Sequence, residues 1–188
     1  MPKALVYYKL YKPFGYLSQF SGEPSDKLLG DLYSFPKDVY PVGRLDKDSE
    51  GLLLLTNDNA FKTKLLDPDT NKSKTYWVQV DGDITQEAIT ELQSGIIKIK
   101  HKGNSYQVKK AICIRIAPPN IEERNPPIRF RKNIPTSWIE LTITEGKNRQ
   151  VRKMTAATGF PTLRLIRVRI ENHSLEGMNV GECRKINL

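Results

Sequence analysis

Residues 43–57 read GRLDKDSEGLLLLTN, so that a charged stretch runs directly into four consecutive leucines. The apolar run Leu52–Leu55 is short and lies between Gly51 and the polar residues that follow it. A run of this length with such borders favours a buried strand over a helix. We therefore expect a strand in the interior of the protein here, with a charged segment immediately before it.

The charged segment places three carboxylates, those of Asp46, Asp48 and Glu50, at two-residue spacing. In an extended chain all three would point to one side and could hold Mg²⁺ for phosphodiester hydrolysis. The commoner interpretation is a polar turn ahead of the strand. An acid on a surface that attracts nucleic acid also needs a cationic partner or a chemical task, and Arg44 is one nearby candidate partner.

Hydrophobic periodicity elsewhere predicts more strands than helices. Strands are predicted over residues 7–11, 75–80, 96–100, 106–116, 138–144 and 163–170, with Val108 and isoleucines 112, 114 and 116 in phase. Helices are predicted over about 26–32 and 60–66, after an N-cap at Thr85 up to Gly95, and after an N-cap at Asn148 up to about Thr158. Residues 118–135 form a long connection. This irregular order of predicted strands and helices favours an α+β fold with mostly antiparallel strand pairing.

The length of 188 residues suits one domain, residues 1–188, in two lobes of about 1–60 and 61–188. No apolar run approaches the roughly 18 residues needed to span a membrane, and the N-terminus lacks the pattern of a secretory signal. Two cysteines and two histidines form neither a disulfide framework nor zinc-ligand spacing. We expect a cytoplasmic protein with no membrane partner and no metal.

The formal net charge of +9 makes nucleic acid the leading class of partner, although excess charge can serve solubility alone. Two basic regions concentrate it. Residues 124–132 hold one, and residues 147–188 hold the other against three glutamates. Its cations are Lys147, Arg149, Arg152, Lys153, Arg164, Arg167, Arg169, Arg184 and Lys185.

Common nucleotide-binding and hydrolase motifs are absent: the sequence contains no phosphate-binding P-loop, no Gly-x-Gly-x-x-Gly and no Gly-x-Ser-x-Gly. Tyr76 lies on an alternating strand, where it could pack across strands or stack on a base. Arg152 and Lys153 could form an exposed helix face or partner an acid. His101 and His173 are isolated in the sequence and receive no role.

Four segments resemble, in order, the motifs of the RsuA-type pseudouridine synthases. GRLD at 43–46, followed by DSEGLLLLTN at 48–57, resembles the family's Gly-Arg-Leu-Asp motif. KPFG at 12–15, KTY at 74–76 and EGKNRQVRKM at 145–154 resemble its opening, second and third motifs. The resemblance spans nearly the whole chain, and four ordered motifs are far more specific than one.

Two further segments, NPPIR at 125–129 and IPTSW at 134–138, resemble the RluE branch, which acts on large-subunit rRNA. The resemblance implies a pseudouridine synthase catalytic fold, with mixed, mostly antiparallel sheets in two lobes that flank a basic cleft. Many relatives have an N-terminal S4 RNA-binding domain. This chain is expected to lack one, as the RluE branch does.

The chemistry implied by the resemblance is the isomerisation of a uridine in RNA, most specifically in 23S rRNA, without a cofactor. The N1–C1′ bond breaks, the uracil turns, and C5 bonds to C1′. Asp46 matches the family's essential aspartate, which attacks or assists at the sugar. Tyr76 matches the aromatic residue that stacks on the flipped base and serves proton removal from C5. Arg152 matches the basic residue paired with the aspartate.

RNA contacts are expected from the cations in and around these motifs, while Arg44 could equally hold the active-site loop. Two other functions stay open at this point: a non-catalytic rRNA-binding or ribosome-assembly factor on the same fold, and a metal-dependent nuclease. The protein is expected to act as a monomer. The candidate RNA-binding residues are Arg44, Lys74, Arg129, Arg131, Lys147, Arg149, Lys153, Arg164 and Arg167.

Overall fold

The computed structural model describes residues 4–129 and 131–187 of the chain. These residues form two compact units. The first unit contains residues 4–72 and 168–187, and the second contains residues 73–129 and 131–167. This division differs from the lobes expected from the sequence, because the boundary lies at residue 72 rather than near 60 and the C-terminal segment returns to the first unit.

An antiparallel sheet forms the first unit. Strand β1 pairs with β3 on one side and with β11 on the other, and β2 also pairs with β3. Strand β10 pairs with the end of β9. A short α-helix, α1, follows β3, as predicted. The elements are β1 (Tyr7–Lys12), β2 (Tyr40–Val42), β3 (Glu50–Thr56), α1 (Asn59–Leu66), β10 (His173–Ser174) and β11 (Cys183–Ile186).

Strand β3 is buried along its whole length, which confirms the interpretation of the leucine run. Leu53 and Leu55 pack with Tyr8 and Leu10 of β1 in a core that also includes Phe20 and Phe35. Each fully buried leucine contributes about 1.5–3 kcal/mol through removal of its side chain from water. The burial of this strand fixes where the charged segment before it emerges.

In the second unit, β8 pairs antiparallel with β4 on one side and with β7 on the other. Helix α2 packs on β7, and α3 contacts the β5–β6 hairpin. Strand β9 begins in this unit and ends in the first. The elements are β4 (Lys74–Asp81), α2 (Gln86–Ser94), β5 (Lys98–His101), β6 (Asn104–Gln107), β7 (Ile112–Ile116), β8 (Thr136–Ile143), α3 (Gln150–Ala157) and β9 (Thr162–Ile170).

Helix α2 begins and ends as its sequence predicts. The Thr85 hydroxyl caps it by accepting a hydrogen bond from the backbone N–H of Ala88. Gly95 ends it with φ of 75°, a left-handed conformation that favours glycine. The α+β fold class is confirmed, and the strand pairings described above are antiparallel. No helix within residues 4–129 or 131–187 could span a membrane.

Three local predictions are wrong. Residues 106–116 do not form one strand, because residues 108–111 separate β6 from β7 and reset the alternation. Cys113 therefore points inward, while Ile112 and Ile114 are 68% and 50% exposed. The helix expected at 26–32 is only a 3₁₀ turn, Leu29–Asp31. Helix α3 is capped at Arg149, not Asn148, and Arg149 has φ of 51°.

Candidate active site

Asp46 lies half-buried in the loop between β2 and β3, in the first unit. Its carbonyl accepts a hydrogen bond of 3.0 Å from the N–H of Ser49, which makes residues 46–49 a turn. The segment is therefore not extended, so the row of carboxylates needed for a Mg²⁺ site does not form. Across the described part of the chain, no three or more His, Cys, Asp or Glu residues are grouped so that they could hold a metal.

Gly15 of the opening motif and Ser18, which follows that motif, hold the Asp46 loop from both sides. The N–H of Gly15 donates to the carbonyl of Lys47 at 2.8 Å. The buried hydroxyl of Ser18 accepts from the N–H of Leu45 at 3.0 Å and donates to the carbonyl of the same residue at 2.8 Å. Residues 45 and 47 are thus fixed immediately before and after Asp46. These contacts set the backbone position of the carboxylate before any substrate binds.

Gly15 has a specific conformational role in this arrangement. Its φ is +84°, a region that residues with a Cβ adopt at a cost. The turn that it forms directs its N–H toward Lys47. The glycine of the KPFG segment is therefore part of the support for the Asp46 loop.

Lys12 is a buried lysine whose role could not be predicted from its sequence context. Its ammonium donates to the carbonyls of Pro13 at 2.9 Å and Tyr16 at 2.7 Å. A buried cation is costly unless it is hydrogen-bonded, so this side chain ties together the turn that begins at its own residue. The lysine of the KPFG segment stabilises the turn that carries Gly15.

Arg44 is exposed and contacts the same supporting segment. Its Nη2 donates to the Oε1 of Gln19 at 3.0 Å. Lys47, on the other side of Asp46, forms an exposed ion pair of 2.9 Å with Asp26. Of the two roles considered for Arg44, the structure shows a contact that holds the loop, and RNA binding by this residue stays a prediction.

Tyr76 lies on β4 of the second unit, opposite Leu141 of β8. Its side chain is 8% exposed and packs in the same core as Val78 and Val80. Packing across strands is thus observed for this tyrosine, and its stacking on a base stays a prediction. Lys74 begins the same strand, opposite Ile143.

Helix α3 places the third-motif cations on the second unit. Arg152 and Lys153 are half-buried in its first turns. The ammonium of Lys153 donates to the carbonyl of Lys100 on β5 at 2.8 Å. This bond ties the helix to the β5–β6 hairpin.

A buried carboxylate that sequence reasoning missed, Glu145, organises the loop before α3. Its oxygens accept from the hydroxyl of Tyr106 at 2.6 Å, the N–H of Lys109 at 2.9 Å and the Nε2 of Gln150 at 2.5 Å. The Oε1 of Gln150 in turn accepts from the N–H of Lys147 at 3.0 Å. The only sequence signal was that Glu145 and Gln150 fall within the third motif.

The network has an electrostatic consequence for Tyr106. The hydrogen bond to Glu145, together with burial and the nearby negative charge, raises the pKa of Tyr106 to about 12. Its ring also lies under the ammonium of Lys147, 4.6 Å from the ring centroid. Tyr106 therefore stays a neutral hydrogen-bond donor while its ring holds a cation in place.

The remaining arginine candidates fall into exposed and buried groups. Arg129, Arg131 and Arg149 are exposed, and Arg131 pairs with Asp81 at 2.9 Å. Arg164 and Arg167 of β9 are only 5% and 4% exposed. The Nη1 of Arg164 donates to the carbonyl of Glu122 at 3.0 Å, so its guanidinium has an internal contact. RNA binding by Arg164 and Arg167 stays a prediction.

The structure groups the candidate residues by unit. Arg44 and Asp46 lie in the first unit. The second unit contains all the others: Tyr76, Arg152, Lys74, Arg129, Arg131, Lys147, Arg149, Lys153, Arg164 and Arg167. Each unit thus presents its own prepared segment, a turn that holds a carboxylate in the first and a cation-bearing helix in the second.

Comparison with known proteins gives a consistent result. The model of a family described as RNA pseudouridylate synthase matches residues 6–157. The chain is 48% identical over 177 residues to the ribosomal large subunit pseudouridine synthase E of Vibrio parahaemolyticus, covering 94% of this chain and 72% of that protein. It is 45% identical to the protein of the same name from Xanthomonas campestris, covering 93% and 92%.

A solved structure agrees with the fold. A crystal structure described as a pseudouridylate synthase superposes with a TM-score of 0.75 at 24% identity, covering 98% of this chain and 71% of the other. At this identity the likeness concerns the fold alone.

Proposed function

The chain belongs to the RNA pseudouridylate synthase family, and from that membership we propose that it isomerises uridine to pseudouridine in large-subunit rRNA. The observation that supports the substrate is the 48% identity with a ribosomal large subunit pseudouridine synthase E over 94% of the chain. The protein is thus an isomerase that acts on RNA. A non-catalytic assembly role is not favoured, because the relatives are named for the enzymatic activity.

The reaction is an internal rearrangement. The N1–C1′ bond of the uridine breaks, C5 bonds to C1′, and the proton on C5 leaves while N1 gains one. No oxidant, reductant or co-reactant enters the balance, so we propose that side chains of the protein perform it unaided.

We propose that Asp46 is the essential carboxylate. A group that reacts with the substrate must be held close to its productive position, because small displacements cost large factors in rate. The contacts of Gly15 with Lys47 and of Ser18 with Leu45 hold the backbone on both sides of Asp46. This preorganisation supports a catalytic role for the residue.

We propose that Tyr76 stacks on the target base and takes part in the removal of the C5 proton. Arg152 is proposed as the catalytic basic residue, from its match to the third motif. Strand β4 holds the tyrosine with its side chain buried among core residues, which limits its freedom. A rigid aromatic group is suited to stacking on a base that has left its helix.

The target base must be extruded from paired RNA or be presented in a single-stranded region, at a cost of about a few kcal/mol. Phosphate contacts from exposed cations such as Arg129 and Arg149 would offset that cost and make binding depend on salt. The partner is accordingly rRNA, and the place of action is the cytoplasm, where that RNA occurs in bacteria. We propose a monomer as the acting form.

The deciding experiment compares Asp46→Asn with Asp48→Asn, each assayed for pseudouridine in unmodified large-subunit rRNA. We expect the first variant to lose activity by at least about a thousandfold, since the substitution removes the carboxylate and keeps the size. The second substitution alters a neighbouring carboxylate and should retain activity. Full activity in Asp46→Asn would overturn the catalytic role of Asp46, and a wild-type protein that forms no pseudouridine in this rRNA would overturn the proposed function.

Two further measurements separate the alternatives. A nuclease that used Asp46, Asp48 and Glu50 would need a metal. If the activity of the protein on the rRNA is unchanged when EDTA is added, a metal-dependent nuclease is excluded. Tyr76→Phe keeps the stacking ring and removes the hydroxyl. We expect this variant to bind RNA normally and to turn over slowly, whereas unchanged kinetics would remove the proton-transfer role.

A further inference from the structure

The β5–β6 hairpin presents cations that the sequence analysis did not assign. Lys98 and Lys100 of β5 point outward, since Ile97 and Ile99, which alternate with them, are buried in the core of the second unit. Lys102 and Gly103 form the tip of the hairpin, both with positive φ. Lys102 therefore lies at the exposed tip of the hairpin.

Contacts on the inward side join this hairpin to the loop before α3. The Tyr106 hydroxyl on β6 bonds to Glu145, and the Lys147 ammonium lies over the Tyr106 ring. The His101 ring packs edge-on against the same tyrosine, with centroids 5.9 Å apart. The tip is thus part of one assembly with the third motif.

The Lys153 bond to the Lys100 carbonyl brings a further cation from α3 to this assembly. Burial, and then the charges of Lys147, Lys102 and Lys153, lower the pKa of His101. Three ammonium groups from three separate elements therefore lie within electrostatic range of one imidazole.

One carboxylate, that of Glu145, lies near the cluster, so its three positive charges are only partly offset. Among residues 4–129 and 131–187, none of Lys102, Lys147 and Lys153 forms an ion pair with a carboxylate. Glu145 is near, but its oxygens are occupied by Tyr106, Lys109 and Gln150. Like charges held together in this way repel one another, and an anion that binds between them relieves the repulsion.

We propose that Lys102, Lys147 and Lys153, gathered around His101, form a phosphate-binding surface for the RNA backbone. This inference rests on the proposed function and adds to it the β5–β6 hairpin as an RNA-contacting element. The Glu145–Tyr106 bond positions the hairpin for that contact. The ligand is the phosphodiester backbone, so the surface contributes affinity rather than base recognition.

The test measures the Kd of an unmodified large-subunit rRNA transcript as a function of salt concentration. The variants are the triple substitution of Lys102, Lys147 and Lys153 by Gln, and, as a control, Lys37→Gln at an exposed lysine of the first unit. Three lost phosphate contacts should reduce the slope of log K against log salt by about 2 to 3, and weaken binding about a hundredfold near 0.1 M salt. The control should match the wild type.

A second measurement does not depend on the fold of a variant. Acetylation of lysines in the wild-type protein, with and without the transcript, should show protection of Lys102, Lys147 and Lys153 but not of Lys37.

Lys102→Arg keeps the charge and should retain the wild-type salt slope, whereas Lys102→Gln should reduce it by about 1.

The outcomes separate the two proposals. A wild-type protein that forms no pseudouridine in the transcript overturns the proposed function. An active wild type, together with a triple variant of unchanged salt slope and no protection of the three lysines, overturns the hairpin surface alone.

Discussion

The two motif loops of the molecule are supported in different ways. In the first unit, the Asp46 loop is held mainly through backbone groups, which bond to Gly15 and to the hydroxyl of Ser18. In the second unit, the loop before α3 is held by buried side chains, with Glu145 at the centre and Gln150 beside it.

The difference teaches where each loop is vulnerable. Backbone support depends on small residues that allow close approach, so a defect there displaces the loop without exposing a charge. Side-chain support depends on a carboxylate whose loss leaves several donors without an acceptor, so a defect there lowers stability first. We expect substitutions in the support of the second-unit loop to act first on folding, and those in the support of the Asp46 loop to act mainly on catalysis.

The largest effect is expected from Glu145→Ala. The substitution removes the acceptor for the Tyr106 hydroxyl, the Lys109 N–H and the Gln150 amide, and we expect the free energy of unfolding to fall by about 3 kcal/mol. Urea denaturation measures the change. Glu123→Ala, at an exposed position, serves as the control, and an equal loss in both variants would contradict a special role for Glu145.

Ser18→Ala tests the first loop. The N–H and carbonyl of Leu45 lose their buried partner, which should cost about 2 kcal/mol of stability and lower kcat by about ten- to a hundredfold through displacement of Asp46. If the two loops are supported in the different ways described, Ser18→Ala should lower kcat strongly and retain RNA binding. Ser25→Ala, at an exposed position, should leave both quantities as in the wild type; a Ser18 variant with full kcat would remove the proposed difference between the loops.

Tyr106→Phe makes a smaller change in the second network. The ring remains under Lys147, while Glu145 loses one of its three donors, so we expect a loss of about 1 kcal/mol in the free energy of unfolding. Thermal unfolding beside Tyr40→Phe, which alters an exposed tyrosine, measures it. A loss as large as that of Glu145→Ala would mean that the hydroxyl, rather than the carboxylate, dominates the network.

The smallest effect concerns pH, because each unit has one histidine with a lowered pKa. Burial is the main cause for both His173 and His101, with additional repulsion from Lys9 for the former and from three lysines for the latter. As pH falls through about 6.5, the unfolded chain binds protons before the folded chain does, so stability falls with pH in this window. Above this pH range the two histidines do not make the stability depend on pH.

Salt separates the two histidines. Repulsion between charges is screened by salt, whereas burial is not. In His173→Gln, which leaves His101, added salt should therefore recover more of the stability lost between pH 7.5 and 5.5 than it does in His101→Gln. Urea midpoints at the two pH values provide the measurement, and equal recovery in the two variants would show that the lysines around His101 have no effect on its titration.

Much of the fold could be predicted from local pattern. Strand β3, helix α1 and helix α2 with its caps at Thr85 and Gly95 all follow from residues adjacent in sequence. The side of the sheet on which each β7 side chain lies could not be predicted. Residues 108–111 interrupt the alternation between β6 and β7, and only the sheet register reveals this break.

The supports of the site also escaped prediction, since they join residues far apart in the chain. The Ser18–Leu45 bonds span 27 positions and the Tyr106–Glu145 bond spans 39. Serine and tyrosine have many uses in proteins, and no local signal distinguishes these two. The motif matches indicate the segments of the candidate site, but not the contacts that hold those segments in position.

The pairing of β1 with β11 has a consequence for synthesis of the protein. Tyr7 pairs with Ile186, so β1 stays without this partner strand until the chain between them has been synthesised. At about 5–20 residues per second, this delay is roughly ten seconds to half a minute. The second unit is contained in residues 73–167, whereas the first also includes the C-terminal residues from 168 onward. We therefore expect it to be folded on the ribosome before the first unit, although its residues are translated later than β1.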